Sequence, residues 1–390
     1  MPSSLGVRWI PFLSTALFCA SAHAAEAGAP LPDPFAFNDG SRVETPSDWE
    51  RRRAEMIAQL EELHYGHAPP VPSEIAVHEL QQEEHTFGEG SIRALLTTAV
   101  LEFDGIRMRV GYWRPLEHDE PVPVLLACEP VWWPNPFRDH GIAERIVRRG
   151  YAFAGFWIDD LASFEDPGQR PAQDAHPEYD WGTVAVAAWG YRVTMNWLES
   201  IPGLDASRVG IWGHSRRGKA CAWAGAQDER FAVVIPHMSG MGGTAAYRVR
   251  SPGAQRIEQL LERYWLHPTV FEHIGREDAL PFDQHWLHAL VAPRAMYIHV
   301  GLGDAWGNPM GEQAAWQAGR EVYRWLGAPE KLGIYFGAYD HHDPGQPDGS
   351  DSWETALDFL DAQFRAGTPV KEFNKAHFPL EPIPFRWRSP

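Results

Sequence analysis

A chain of 390 residues, 44% hydrophobic and 12% aromatic, is long enough for one large or two ordinary domains with a sizeable packed core. A net charge of −18, with no run of Lys or Arg, argues against nucleic acid and against an anionic membrane surface as partners. The 18 Trp are many. Most belong in a core, but Trp132-Trp133-Pro134 and Trp306 stand in loop-like contexts where exposed rings could stack on sugars.

Residues 1–24 read as an export signal. Arg8 flanks the apolar run Trp9 to Ala20, and Ala22-His23-Ala24 suits a signal-peptidase site, with cleavage expected after Ala24. The run is too short to span a membrane, and Phe18 before Cys19 suits lipid attachment poorly. Cys128 and Cys221 would then remain and could form at most one bridge, so this is not a disulfide scaffold. No Cys/His spacing resembles a zinc site, and neither metal nor cofactor is expected. The expectation is a monomeric periplasmic or secreted protein stabilised by its core.

Residues 25–44 are rich in Ala and Pro and are expected to run extended over the surface. Thr45-Pro46-Ser47-Asp48 has the capping hydroxyl and early acid of a helix start. Trp49, Met56, Leu60 and Leu63 mark its apolar stripe, and Gly66 ends it. From 74 to 128 the pattern turns to strands, at Ile75–His78, Ala94–Leu96, Ala99–Leu101, Arg107–Val110 and the wholly apolar run from Val122 to Ala127.

Strands and helices then alternate. A helix over 142–147 precedes a buried strand over 151–158, and a Pro/Asp-rich loop at 160–180 leads to a long helix over 183–198 carrying Trp189, Val193 and Trp197. The strand Arg208–Trp212, a turn and an Ala-rich helix follow, then a strand over 231–236 and Ser239-Gly240-Met241-Gly242-Gly243. Residues 254–290 look mostly helical. The chain closes with strands over 294–300 and 332–336 and helices over 312–326 and 352–364. This alternation is the α/β class, a three-layer αβα sandwich with a mostly parallel sheet. It is read as one domain over 45–368, with 369–390 as a tail packed on it.

The turn Gly213-His214-Ser215-Arg216-Arg217-Gly218-Lys219 carries the chemistry. A serine between glycines at a strand-to-helix junction resembles a nucleophile elbow, which exposes the hydroxyl at the carboxyl edge of the sheet. The spacing G-x-S-x-x-G is one residue longer than the usual motif. Serine needs a base, itself oriented by an acid, and in α/β-hydrolases these follow in the order Ser, Asp or Glu, His. Asp304 follows the strand ending at Val300. The pair His341-His342 follows the strand ending at Phe336. Taken singly, Asp304 reads as a turn residue and each His as a surface residue; three in order after three strands point to a triad.

The stretch Gly213–Lys219 resembles the G-C-S-R-x-G-K signature of the glucuronoyl esterases, carbohydrate esterase family 15. The resemblance covers roughly residues 31–368. It extends to Ala187-Ala188-Trp189-Gly190, Asp228-Glu229-Arg230-Phe231-Ala232, Ser239–Gly243, Leu280–His285, Ala292-Pro293-Arg294 and Asp304-Ala305-Trp306. It implies an α/β-hydrolase that cleaves esters of (4-O-methyl)glucuronic acid, as in lignin–glucuronoxylan cross-links. Carried over by position, Ser215 is the nucleophile, Arg216 supports the oxyanion, Lys219 holds sugar hydroxyls, Trp306 stacks on the sugar, and Gln255 and Glu262 contact it. The ordinary reading of Lys219 is a solvated helix charge.

Three departures stand out. Met238 occupies a position where the family often has an acid, which leaves Asp304 to serve alone. The elbow Cys of fungal members is His214, expected to pack beside the serine and not to act as base. The segment after the base carries an unusual Gly/Asp-rich insertion, and of the two histidines His342 is favoured over His341. Two other readings keep the chain's features: an esterase on acetylated or feruloylated xylan, and a carbohydrate-binding relative without activity.

Overall fold

A computed structural model describes residues 26–27, 29–88, 92–118, 120–129, 141–260, 263–341, 352–365, 371–380 and 385–390. The expected export signal and Trp132-Trp133-Pro134 lie outside the described residues.

Nine strands form one sheet. In chain order they are β1 (Ala76–Phe87), β2 (Ile92–Phe103), β3 (Ile106–Pro115), β4 (Val122–Ala127), β5 (Ala152–Phe156), β6 (Leu204–His214), β7 (Phe231–His237), β8 (Ala295–Gly301) and β9 (Leu332–Gly337). Across the sheet the order is β9-β8-β7-β6-β4-β5-β3-β2-β1. β1, β2 and β3 make an antiparallel meander joined to β5, and the other six strands are parallel. The sheet is therefore mostly parallel.

Its two faces are covered separately, because successive side chains of a strand point to opposite sides. On β4, Val124 and Leu126 join the larger core cluster. There they pack with α1 (Pro46–Leu60) and α3 (Thr183–Leu198). Leu125 and Ala127 join the other cluster with α2 (Gly141–Arg148) and α7 (Ser352–Phe364). Trp212 of β6 meets Trp353 of α7 at 4.1 Å between ring centres. Each fully buried large apolar side chain of this kind contributes about 1.5–3 kcal/mol. Three layers result, and the fold is that of an α/β-hydrolase.

Where local signals were strong, element limits follow them. The box at Thr45 and Asp48 caps α1, with the Asp48 N–H donating to the Thr45 hydroxyl at 3.1 Å. The apolar run 122–127 is one strand, and α3 spans the residues expected of it. Three expectations are corrected. Ala94–Leu96 and Ala99–Leu101 belong to a single strand, since pairing with β3 continues through Thr97 and Thr98. Among the described residues, 254–291 hold four 3₁₀ turns and one short helix, α5 (His285–Val291), as befits a stretch with scattered Pro, Gly and acidic residues. Residues 25–44 do not merely cross the surface: Phe35 and Val43 are fully buried, and Phe35 packs on Trp49 and Trp325.

The parallel strands all end at one edge. β6 ends in His214, β7 in His237, β8 in Gly301 and β9 in Gly337, so the loops carrying Ser215, Met238, Asp304 and His341 meet there. Such an edge is where ligands bind in open α/β sheets.

Candidate active site

Ser215 lies between β6 and α4 (Arg216–Gln227) at φ 56° and ψ −125°. A non-glycine residue in that region is strained by roughly 1–3 kcal/mol and persists only where its surroundings hold it. Packing around the two flanking glycines supplies that hold. A Cβ on Gly213 would lie 2.2 Å from the Arg217 carbonyl oxygen, and one on Gly218 would lie 2.9 Å from that of Gly213 and 3.0 Å from the Ser239 side chain. The long spacing thereby acquires a reason. Gly213 makes the turn, while Gly218 lets the first turn of α4 press onto the loop after β7. The Ser215 N–H donates to the His237 carbonyl at 2.9 Å, which fixes the turn to β7.

The base is His341. Its Nε2 is 2.8 Å from the Ser215 hydroxyl oxygen, and its Nδ1 is 2.7 Å from Oδ2 of Asp304. His342, the histidine favoured from the sequence, lies outside the described residues, and its neighbour makes both contacts. The physical reason is reach. Gly303 donates to the Tyr339 carbonyl at 2.8 Å, which ties the β9 loop to the Asp304 turn and brings His341, two residues on, over the serine. Asp304 is buried, and its Oδ1 accepts from the Gly307 N–H at 2.9 Å, leaving Oδ2 aimed at the imidazole. Met238 is buried beside the pocket with φ 46° and offers the imidazole no carboxylate. The His214 ring packs 5.0 Å from that of His341.

Arg216 begins α4, where backbone N–H groups have no acceptor within the helix. Its guanidinium pairs with Glu165 and lies 5.5 Å from the rings of both Phe164 and Trp265. Lys219, one turn further, is not a solvated helix charge: it is only 5% exposed. Its Nζ donates at 2.5 Å to the carbonyls of Ser239 and Met241. Burial pushes this ammonium down to about 8, against the pull of Glu312 and Asp304.

Among the residues lining the cavity beside the serine are Ser215, Lys219, Met238, Gln255, Trp306 and His341, together with Gln259 and Trp265. Trp306 is 48% exposed, an uncommon position for so large an apolar ring. The Gln255 N–H donates to the Trp306 carbonyl at 3.1 Å, which ties the two loops carrying the expected sugar contacts together. Glu262 lies outside the described residues. Sequence reasoning missed Gln259 and Trp265. Their signal was slight, since nothing local to the 3₁₀ turns at 257–265 shows that they fold over the β6 edge. Among the described residues no cluster of His, Cys, Asp or Glu could hold a metal.

A buried carboxylate, an imidazole and a strained serine at the carboxyl edge of this sheet define a serine hydrolase of the α/β-hydrolase class. Comparison with known proteins narrows the class. The family model described as "Glucuronyl esterase, fungi" matches residues 111–327. A 4-O-methyl-glucuronoyl methylesterase of Schizophyllum commune is 30% identical over 335 residues, covering 82% of this chain and 80% of its own. A carbohydrate esterase family 15 glucuronoyl esterase from Caldicellulosiruptor kristjansonii superposes with a TM-score of 0.75 at 28% identity, over 91% of this chain and 96% of that one. A glucuronoyl esterase from Solibacter usitatus gives 0.70 at 28% identity, over 86% and 97%. The chain belongs to the glucuronoyl esterase family, carbohydrate esterase family 15, and is a carboxylic ester hydrolase.

Proposed function

We propose that this enzyme hydrolyses esters between the carboxyl group of (4-O-methyl)glucuronic acid and an alcohol, with Ser215, His341 and Asp304 as its triad. The observation carrying the reading is the unbroken contact chain from the Ser215 hydroxyl through His341 to Asp304, opening on a cavity that also holds Lys219 and Trp306. Ser215 attacks the ester carbonyl as His341 Nε2 takes its proton. The oxyanion is met by the Arg216 N–H and by its guanidinium, charge stabilisation that grows only toward the transition state. As the tetrahedral adduct collapses, the imidazolium returns the proton to the departing alcohol. Water, deprotonated by the same nitrogen, then releases glucuronate from Ser215. Asp304 keeps the imidazole in the tautomer with its proton on Nδ1.

Lys219 and Gln255 are the polar contacts for sugar oxygens, with Glu262 a third, and Trp306 is the ring on which the pyranose stacks. The natural substrate in this reading is the lignin–glucuronoxylan ester, met by an exported enzyme. The test compares methyl glucuronate with acetyl and feruloyl xylan esters, alongside Ser215→Ala. Glucuronate esters should lead by kcat/KM, and the variant should lose about 10⁴-fold or more. A preference for acetyl or feruloyl esters would sink the substrate assignment. Sugar binding without labelling of wild type by a fluorophosphonate would sink the esterase mechanism.

A further inference from the structure

Glu312 is buried and plays no part in the triad, yet its carboxyl is tied to the floor of the substrate cavity. It stands in the first turn of α6 (Pro309–Trp325), the helix that follows Asp304. Its Oε1 accepts from the Gly240 N–H at 3.1 Å and from the Thr244 hydroxyl at 3.0 Å. Thr244 is in turn bound to Ser239, whose hydroxyl accepts from the Thr244 N–H at 2.9 Å. The loop so fastened, 239–244, supplies the two carbonyls that hold Lys219 Nζ.

An ammonium has three donors. With two committed to the Ser239 and Met241 carbonyls, the direction of the third is set by where those carbonyls sit. We propose that Glu312 is a positioning residue for substrate recognition: by fixing the 239–244 loop it aims the remaining Lys219 donor into the cavity beside Ser215.

Burial pushes Glu312 up to about 8, while Thr244, Gly240 and Lys219 pull it down. Oε1 accepts from Gly240 and Thr244 whether the carboxyl is ionised or carries its proton on Oε2, so both contacts hold in either state. The helix bearing Glu312 is itself pinned: Asn308 caps it at 3.1 Å and donates at 2.9 and 2.8 Å to the carbonyls of Ala246 and Val249.

This inference rests on the reading of Lys219 as a sugar contact, and the experiment separates the two. Kinetics on methyl glucuronate and on p-nitrophenyl acetate, which has no sugar, are measured for wild type, Glu312→Ala, Glu312→Gln, Lys219→Met and the double variant Glu312→Ala/Lys219→Met. Glu312→Ala should raise KM for the glucuronate ester about tenfold, with kcat for the acetate within about threefold of wild type. Glu312→Gln keeps the acceptor and should restore KM to within about twofold. The double variant should be no worse than Lys219→Met alone, since contacts that act through one another are not additive. Thr244→Val removes one of the two donors and gives a milder rise of about threefold, readable even if Glu312→Ala does not fold. Equal losses on both esters, additive effects of the two substitutions, or Glu312→Gln as damaging as Glu312→Ala would overturn the proposal. Wild-type behaviour of Lys219→Met on the glucuronate ester would instead remove the reading on which it rests.

Discussion

Ser215 sits in a turn whose glycine neighbours leave no room for a Cβ, whereas His341 reaches the serine from the loop beyond β9, and its ring hydrogen-bonds Ser215 and Asp304. On the serine side everything is backbone and packing: glycines with no room for a Cβ, a strand-to-strand hydrogen bond, and α4 pressed against the loop after β7. The His341 side chain remains 24% exposed, against 3% for that of Asp304. Ser215 is thus placed by the fold and His341 by its contact with Asp304. Asp304 then carries two duties, orienting an imidazole and holding a loop end against a rigid partner, and the enzyme should be more sensitive to changes there than burial alone would suggest.

The sharpest way to break this comparison is Asp304→Asn. Met238 stands where another acid could have stood, and Asp304 is the carboxylate that meets His341 Nδ1, so kcat should fall by about 10²–10⁴-fold. Steady-state kinetics on methyl glucuronate check it, and loss below about tenfold would mean that His341 is held by something other than Asp304. A smaller effect is expected on the cavity wall. Trp306→Ala removes an exposed ring without touching the triad, and should raise KM about tenfold while kcat stays within about threefold.

The smallest effect near neutral pH is on stability. His64, His285, His288 and His299 are fully buried, and desolvation pushes each imidazole down to about 3. In the unfolded chain they titrate near 6.5. Their folded pKa values are depressed, so the unfolded state takes up the protons. The stability they contribute is full above about pH 6.5 and drains away as pH falls toward about 3, by at most about 1.4 kcal/mol per unit for each group. The contribution of these four rings is flat from pH 7 to 8, and thermal midpoints should fall progressively below 6.5. A midpoint unchanged at pH 5 would contradict the burial of these rings.

The contrast between the two sides also explains what could be read from the sequence. The elbow was legible because its determinants lie within seven residues, and the Arg and Lys that extend it are periodic on α4. Asp304 was legible as the first acid after a strand. The base was not. His341 and His342 are adjacent and follow the same strand, so choosing between them requires the register of β8 against β9 and the Gly303–Tyr339 hydrogen bond, both long-range facts. The burial of Lys219 was hidden for a similar reason, since its helix position looks exposed until the 239–244 loop folds over it. Residues 254–290 misled because their apolar spacing serves 3₁₀ turns, two of which bring Gln259 and Trp265 to the cavity.

The account turns on which histidine activates Ser215, and kcat/KM on methyl glucuronate for His341→Ala and His342→Ala measures it directly. The geometry predicts a loss of about 10⁴-fold or more for His341→Ala, close to that of Ser215→Ala, because residues of a triad act as a unit. His342→Ala should stay within about threefold of wild type. The reverse pattern, or full activity in His341→Ala, would contradict the assignment of the triad.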